Sequence, residues 1–219
     1  MRIVVCVKHV PDMQSERRFE DGRLVRGEDD VLNELDENAI EAAVQLKEAE
    51  ENADREGEVI ALTMGPEDAE DALMRALQMG ADRAFLVSDE FLEGSDVITT
   101  ASVLSVAIAK IAHECGPVDL VVTGMASLDA MTSMLPGALA AKAHMPLLGL
   151  ARSMSVEDGA VTIERSVDGF TETLRAALPA VVSVTDQINE PRYPAFAAMK
   201  AARKKPLDQW GIDDLVEVP

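Results

Sequence analysis

Residues 59–87 read VIALTMGPEDAEDALMRALQMGADRAFLV, and the order of chemistry along them decides the fold. Val59 to Met64 is an apolar run of strand length, closed by the turn pair Gly65-Pro66. Glu67 to Met79 follows with carboxylates in its first turn, where they suit a helix dipole, and Gly80 stands where a helix stops. Ala84 to Val87 is apolar again. Strand, helix and strand in such close succession predict parallel strands joined by a helical crossover.

The same rhythm runs outward in both directions. Ile3 to Val7 is a continuous apolar run, as a strand buried on both faces requires. Asp12 to Asp30 is polar, charged and Gly-containing, and predicts a long loop. Glu37 to Asn52 spaces Ile40, Ala43, Val44 and Leu46 as a helix does. Downstream, Asp96 to His113 predicts a third helix, Leu120 to Thr123 a fourth strand and Ser133 to Ala143 a fourth helix. After Pro146 the pattern changes. Asp158-Gly159 and Asp168-Gly169 separate Ser153 to Glu157, Val161 to Val167 and Thr171 to Ala177, and Asp-Gly between such segments signals hairpins. Apolar Ala180 to Val184 closes the series. The predicted class is α/β: a Rossmann-like parallel sheet with flanking helices plus an antiparallel β-meander. One α/β unit is expected over residues 1–187. Residues 188–219 are Pro-rich, then basic at Lys200, Arg203, Lys204 and Lys205, and read as an excursion from it.

Composition narrows the function. The chain of 219 residues is 47% hydrophobic but only 3% aromatic, so its core must come from Val, Leu, Ile, Ala and Met. Forty acidic against twenty basic residues give a net charge of -20, which repels nucleic acid and anionic lipid. No apolar run reaches the roughly 18 residues that span a bilayer, and the apolar N-terminal run is too short for a secretory signal. A soluble, cytoplasmic protein is expected. Cys6 and Cys115 lie far apart, outside any metal or redox motif, which suits a reducing compartment. His9, His113 and His144 share no spacing with thiols or carboxylates, although His9 is well placed just after the first strand. No Walker sequence and no Gly-x-Gly-x-x-Gly is present. The residues nominate no metal ligand and no catalytic group.

In open α/β sheets, ligands bind beyond the carboxyl ends of the strands. Four stretches fall there: Cys6-Val7-Lys8, Asn33-Glu34-Leu35-Asp36, Thr63-Met64-Gly65-Pro66, and Thr123-Gly124-Met125-Ala126-Ser127-Leu128-Asp129-Ala130-Met131-Thr132-Ser133. Gly124 permits close backbone approach. Asp129 offers an acceptor to a ribose or an amine. Thr132 and Ser133 fall at an expected helix start, where free N–H groups and the dipole favour phosphate. A plain helix cap at Thr132 or Ser133, and a loop-stabilising role for Asp129, account for the same residues.

The motifs carry a resemblance. Val5-Cys6-Val7-Lys8-His9-Val10-Pro11-Asp12, Asn33-Glu34-Leu35-Asp36-Glu37, Met64-Gly65-Pro66 with Ala76-Leu77-Gln78-Met79-Gly80-Ala81-Asp82, and above all Asn189-Glu190-Pro191-Arg192-Tyr193 run collinearly over nearly the whole chain. Together they resemble electron-transfer flavoprotein β subunits. The resemblance implies an electron carrier of adenine-nucleotide-binding type, paired with an α subunit that holds FAD. It implies AMP against Cys6, Asn33 to Asp36, Met64 and Gly124 to Leu135, which adds Met134 and Leu135 to the loop above. It also implies docking on acyl-CoA dehydrogenases through the segment holding Tyr193, Phe196, Met199 and Lys200, with Phe196 as anchor, and onward transfer to a quinone reductase. Phe196 packed on its own domain is the alternative there.

The sequence departs from that pattern in three places. Ser133-Met134-Leu135-Pro136 stands where many members have Gly-Gln, Ser166 follows Arg165 where an acidic residue is common, and the C-terminal arm is expected to be shortened. Two other functions remain open: a bifurcating subunit with a second FAD in place of AMP, and a stand-alone nucleotide-binding protein.

Overall fold

The computed structural model describes residues 1–216; the last three residues of the predicted arm lie outside them. In chain order the elements are β1 (Arg2–Cys6), β2 (His9–Pro11), β3 (Phe19–Glu20), β4 (Arg23–Leu24), β5 (Asp30–Leu32), α1 (Glu34–Asn52), β6 (Glu58–Met64), α2 (Glu70–Met79), β7 (Arg83–Val87) and α3 (Val97–Cys115). They continue with β8 (Leu120–Gly124), α4 (Leu135–Lys142), β9 (Leu147–Ala151), β10 (Ser153–Glu157), β11 (Ala160–Val167), β12 (Phe170–Ala177), β13 (Ala180–Val184), α5 (Phe196–Ala202), β14 (Leu207–Trp210) and α6 (Ile212–Val216).

Seven strands form one parallel sheet in the order β14-β7-β6-β1-β8-β13-β9. Alternation along β1 explains how helices cover both faces. Ile3, Val5 and Val7 share one apolar cluster with Ala39, Ile40, Ala43 and Val44 of α1 and Leu73 and Leu77 of α2. Val4 and Cys6 share the other with Leu104, Ile108 and Ile111 of α3 and Leu139 of α4. The meander β10-β11-β12 is a separate antiparallel sheet, and its Val161 and Ile163 join the α1 side. Its turns, Asp158-Gly159 and Asp168-Gly169, have positive φ at all four residues, as two-residue hairpin turns need. The strand order reverses at β1. From β7 the chain crosses to β8, on β1's other side, so the carboxyl ends of β1 and β8 mark the switch point at which open α/β sheets form their ligand crevice.

Several segments differ from the sequence reading. The expected long loop at 12–30 holds two short antiparallel pairs, β2 with β5 and β3 with β4. Asp21-Gly22 forms the tip of the second, with φ of 49° and 77°. Helix α1 begins at Glu34 and α4 at Leu135. Ser133 cannot open a helix because its φ is 53°. Neither β9 nor β14 was foreseen. The chain after residue 187 returns to the sheet, where β14 pairs with β7 and Trp210 stacks on Phe85 with ring centroids 4.2 Å apart. Finally, an 18-residue stretch of α3 has mean hydropathy 1.3, so that helix is long and apolar enough to cross a membrane by length and composition. Its Ala101, Leu104, Ala107, Ile108 and Ile111 are buried in the fold.

Candidate nucleotide site and docking segment

The crevice is assembled around one buried amide. Asn33 has no exposed surface. Its backbone N–H donates to the Lys8 carbonyl at 2.9 Å, just past β1. Its side-chain Nδ2 donates to the Ala126 carbonyl at 2.9 Å, and its Oδ1 accepts from the Leu128 amide at 3.0 Å. One residue therefore ties the start of α1 to the end of β1 and to the loop after β8. It does not cap its own helix, because its side chain is committed to that loop.

Gly124 is required by contact. A Cβ on it would lie 2.4 Å from Asp36 Oδ1 and 2.8 Å from the Leu35 carbonyl oxygen. The first turn of α1 thus presses directly on the end of β8. Asp36 is buried, and its Oδ2 accepts from the Lys8 amide at 2.9 Å. Burial pushes its carboxyl up to about 7, against hydrogen bonds from Asn33, Lys8 and Gly124 that pull the other way. Burial, with the Asp36 charge adding to it, also pushes the Cys6 thiol up to about 12. Cys6 therefore stays protonated and inert.

Asp129 is the second carboxylate. Its side chain is 1% exposed. Lys8 Nζ donates to its Oδ2 at 2.8 Å, and Arg26 donates to the same oxygen. Burial pushes this carboxyl up, but hydrogen bonds from Arg26, Lys8 and Ser127 outweigh it and hold it below the ordinary carboxylate range. The other oxygen, Oδ1, is buried with no partner among the described residues, and so are both ring nitrogens of His9. Beyond Asp129 the loop turns outward. Ala130 to Met134 are exposed, and Met131 and Ser133 hold left-handed backbone at φ 50° and 53°. Such backbone costs about 1 kcal/mol per non-glycine residue.

Of the predicted residues, Cys6, Asn33, Leu35, Asp36, Gly124, Ala126, Ser127, Leu128 and Asp129 converge on this crevice. Met64 ends β6, next to β1, and is half-buried; Glu34 points to solvent. Thr132 and Ser133 lie before α4 rather than on it, so the helix end is at Leu135. Lys8 stands where the first strand was expected to end, whereas Arg17 and Arg26 were missed. Their signal was an arginine-rich patch in an acidic chain: Arg17, Arg18, Arg23 and Arg26. A larger hollow of about 790 Å³ lies at the opposite, amino edge, lined in part by Arg2, Arg55, Glu58 and Asp119. Charges there are already paired: Arg2 Nε donates to Glu58 at 2.6 Å and the Arg2 amide to Asp119 at 2.7 Å.

The segment from Asn189 to Lys200 is fastened to the flank of α1. Asn38 Nδ2 donates to the carbonyl and side-chain oxygens of Asn189, both at 3.1 Å, and Asn189 Nδ2 returns a bond to the Asn38 carbonyl at 3.0 Å. Arg192 Nε donates to Glu41 at 2.7 Å, and its two terminal nitrogens reach Glu48 at 2.6 and 3.0 Å. The apolar side chains face outward: Tyr193 is 92% exposed, Phe196 79% and Met199 37%. Lys200 is exposed beside them. Phe196 does not pack on its own domain.

Comparison with known proteins agrees with this architecture. The family model described as "Electron transfer flavoprotein domain" matches residues 21–215. The chain is 43% identical to the electron transfer flavoprotein subunit beta of Mycobacterium leprae over 93% of this chain and 76% of that protein. It is 32% identical to the caffeyl-CoA reductase-Etf complex subunit CarD of Acetobacterium woodii, over 98% of this chain and 80% of that one. It is also 33% identical to Protein FixA of Sinorhizobium fredii, over 99% and 78%. The chain therefore belongs to the electron transfer flavoprotein β-subunit family, whose members pair with an α subunit and with redox partners as electron carriers rather than enzymes.

Proposed function

We propose that this chain binds AMP in the crevice at the carboxyl ends of β1 and β8, while the α subunit holds FAD. It takes electrons from dehydrogenases of the acyl-CoA type docked on Tyr193, Phe196, Met199 and Lys200, and passes them to a quinone reductase. Residues 1–187 act as the nucleotide-binding unit and 188–219 as the partner-facing segment, part of which also closes the sheet. Two free cysteines suit a cytoplasmic protein.

The observation that carries the AMP reading is the loop after β8. It leaves a buried strand on a glycine that tolerates no side chain, keeps an unpartnered oxygen on Asp129, and turns outward through two left-handed residues. An adenosine phosphate fits that donor set: Asp129 and His9 offer polar atoms, and the exposed backbone of Ala130 to Met134 suits a phosphate. FAD on the partner supplies the redox chemistry. This chain positions nucleotide and partners, and its one thiol at the site remains protonated. Nucleotides released by acid from the purified α–β complex test the reading. One FAD and one AMP per heterodimer are expected. Two FAD with no AMP would overturn it in favour of a second flavin in this chain, and a β chain active without any larger partner would overturn the carrier role.

A further inference from the structure

The AMP reading places a phosphate at an edge that already holds two carboxylates, Asp36 and Asp129, in a chain of net charge -20. Like charges oppose such binding. The molecule answers with a local reversal of sign. Lys8 projects from the end of β1, and residues 12–30 fold over the loop after β8 as a flap. The neck of the flap is closed by the pairing of β2 with β5 and by the Asp12 amide on the Asp29 carbonyl at 3.0 Å. Two of its arginines reach across: Arg17 donates to the Leu128 carbonyl at 3.2 Å, and Arg26 to Asp129.

Asp129 works here as a buried mounting post. One of its oxygens holds two cations, yet those cations remain accessible, with Lys8 42% and Arg26 39% exposed. A guanidinium carries five N–H donors and an ammonium three, so most remain free after Asp129 is served. Among the described residues Arg17 is matched only to a neutral carbonyl. Three cations against Asp129 leave two positive charges at that post, and one net where Asp36 is also ionised. A phosphomonoester carries close to two negative charges at neutral pH.

We propose that Lys8, Arg17 and Arg26, mounted on Asp129 and the Leu128 carbonyl, form the cation set that binds the phosphate of the adenine mononucleotide, with the flap delivering two of the three. This rests on the AMP reading and adds to it residues on the flap. The site then selects for a phosphorylated nucleoside by charge, and opening the flap removes most of that charge at once.

Calorimetric titration of the purified full chain with AMP and with adenosine, at low and high salt, tests the idea. Removing charged hydrogen bonds to phosphate typically costs about ten- to a hundredfold in affinity. The double variant Arg17→Ala/Arg26→Ala is expected to lose AMP affinity by that factor, to keep its adenosine affinity, and to show a flatter salt dependence. Arg26→Lys, which keeps the charge, recovers part of the loss and guards against a variant that merely misfolds. Unchanged AMP affinity in the double variant, or equal losses for AMP and adenosine, overturns the cation set while leaving the AMP reading intact. A wild-type chain that binds neither compound overturns both.

Discussion

Two regions lean on the same helix and are built in opposite ways. At the amino end of α1, the crevice leaves polar groups unsatisfied: Asp129 Oδ1 and the His9 ring have no partner among the described residues, and the loop carries left-handed residues. On the flank of α1, the segment proposed for docking is saturated. Glu41 and Glu48 take the Arg192 guanidinium, while Asn38 and Asn189 exchange bonds. The contrast teaches what each region awaits. Buried donors and acceptors held open suit a small polar ligand that completes them. Polar groups turned inward and aromatic groups turned outward suit a protein surface that buries the aromatics.

The comparison breaks most violently at Gly124. In Gly124→Ala the new Cβ meets Asp36 Oδ1, on a short buried side chain held by the Lys8 amide, and the Leu35 backbone, which cannot swing aside. A loss of about 3 kcal/mol or more is expected from urea unfolding, because β8 and α1 must separate. Gly137→Ala is the control. Its nearest atom would be Leu147 Cδ2 at 3.9 Å, and it lies within α4, so a gain of roughly 0.5–1 kcal/mol is expected. Equal effects at the two glycines would remove the case for a pressed crevice.

The second test uses the raised carboxyl of Asp36. The folded chain holds this proton more tightly than the unfolded chain, whose carboxyl titrates near 3.8. Stability from this group is therefore fully present below about pH 4 and is lost as the pH rises toward 7. Asp36→Asn removes that dependence. Relative to wild type it should gain on the order of 2–4 kcal/mol between pH 4 and pH 8. Parallel stability curves for the two proteins would show that Asp36 is ionised at no cost, and the crevice would then be wetter than its burial indicates.

A milder effect is expected on the saturated side. Arg192→Ala strands Glu41, which is buried, but the arginine itself is 32% exposed, so solvent screens part of the loss. About 2 kcal/mol is expected in unfolding at neutral pH. Burial pushes Glu41 up, yet Arg192 and Gln45 outweigh it and hold the carboxyl low; Glu48 is held low chiefly by its hydrogen bond to Arg192. Both groups stabilise above the pH at which an unfolded glutamate titrates and lose that contribution as the pH falls through their folded values. The gap between wild type and variant should accordingly narrow in acid.

These contrasts also mark what the sequence could and could not tell. Apolar runs such as Val59 to Met64 and the Asp-Gly pairs of the meander are local signals, and parallel pairing followed from the alternation of the apolar runs with helices. The edge strand β14 was hidden because Leu207-Asp208-Gln209-Trp210 is half polar, and its anchor, the stack of Trp210 on Phe85, joins residues far apart in the chain. The crevice residues Asn33 and Gly124 were legible by motif, but their reasons were not. Asn33 reads as a residue ahead of the first helix and proves to be a tie to the opposite loop. Arg26 reads as loop charge until the fold brings it to Asp129.

The smallest effect on stability should accompany the largest effect on partnership. Phe196 opens α5 with 79% of its surface exposed, so Phe196→Ala removes almost no buried area, and unfolding should change by no more than about 0.5 kcal/mol. An aromatic anchor in a partner's pocket contributes about 2 kcal/mol or more, which corresponds to roughly thirtyfold in affinity. Stopped-flow reduction of the carrier by its dehydrogenase should therefore need a far higher partner concentration to reach the wild-type rate, while association with the α subunit stays unchanged. Arg192→Ala separates the two ways of losing that contact. It leaves Phe196 in place and releases the frame that presents it, so its docking defect should come with lost stability, whereas the Phe196 variant shows the defect alone. An unaltered rate with Phe196→Ala would move the anchor to Tyr193, which is 92% exposed next to Arg192 and faces the Arg75 guanidinium at 5.9 Å.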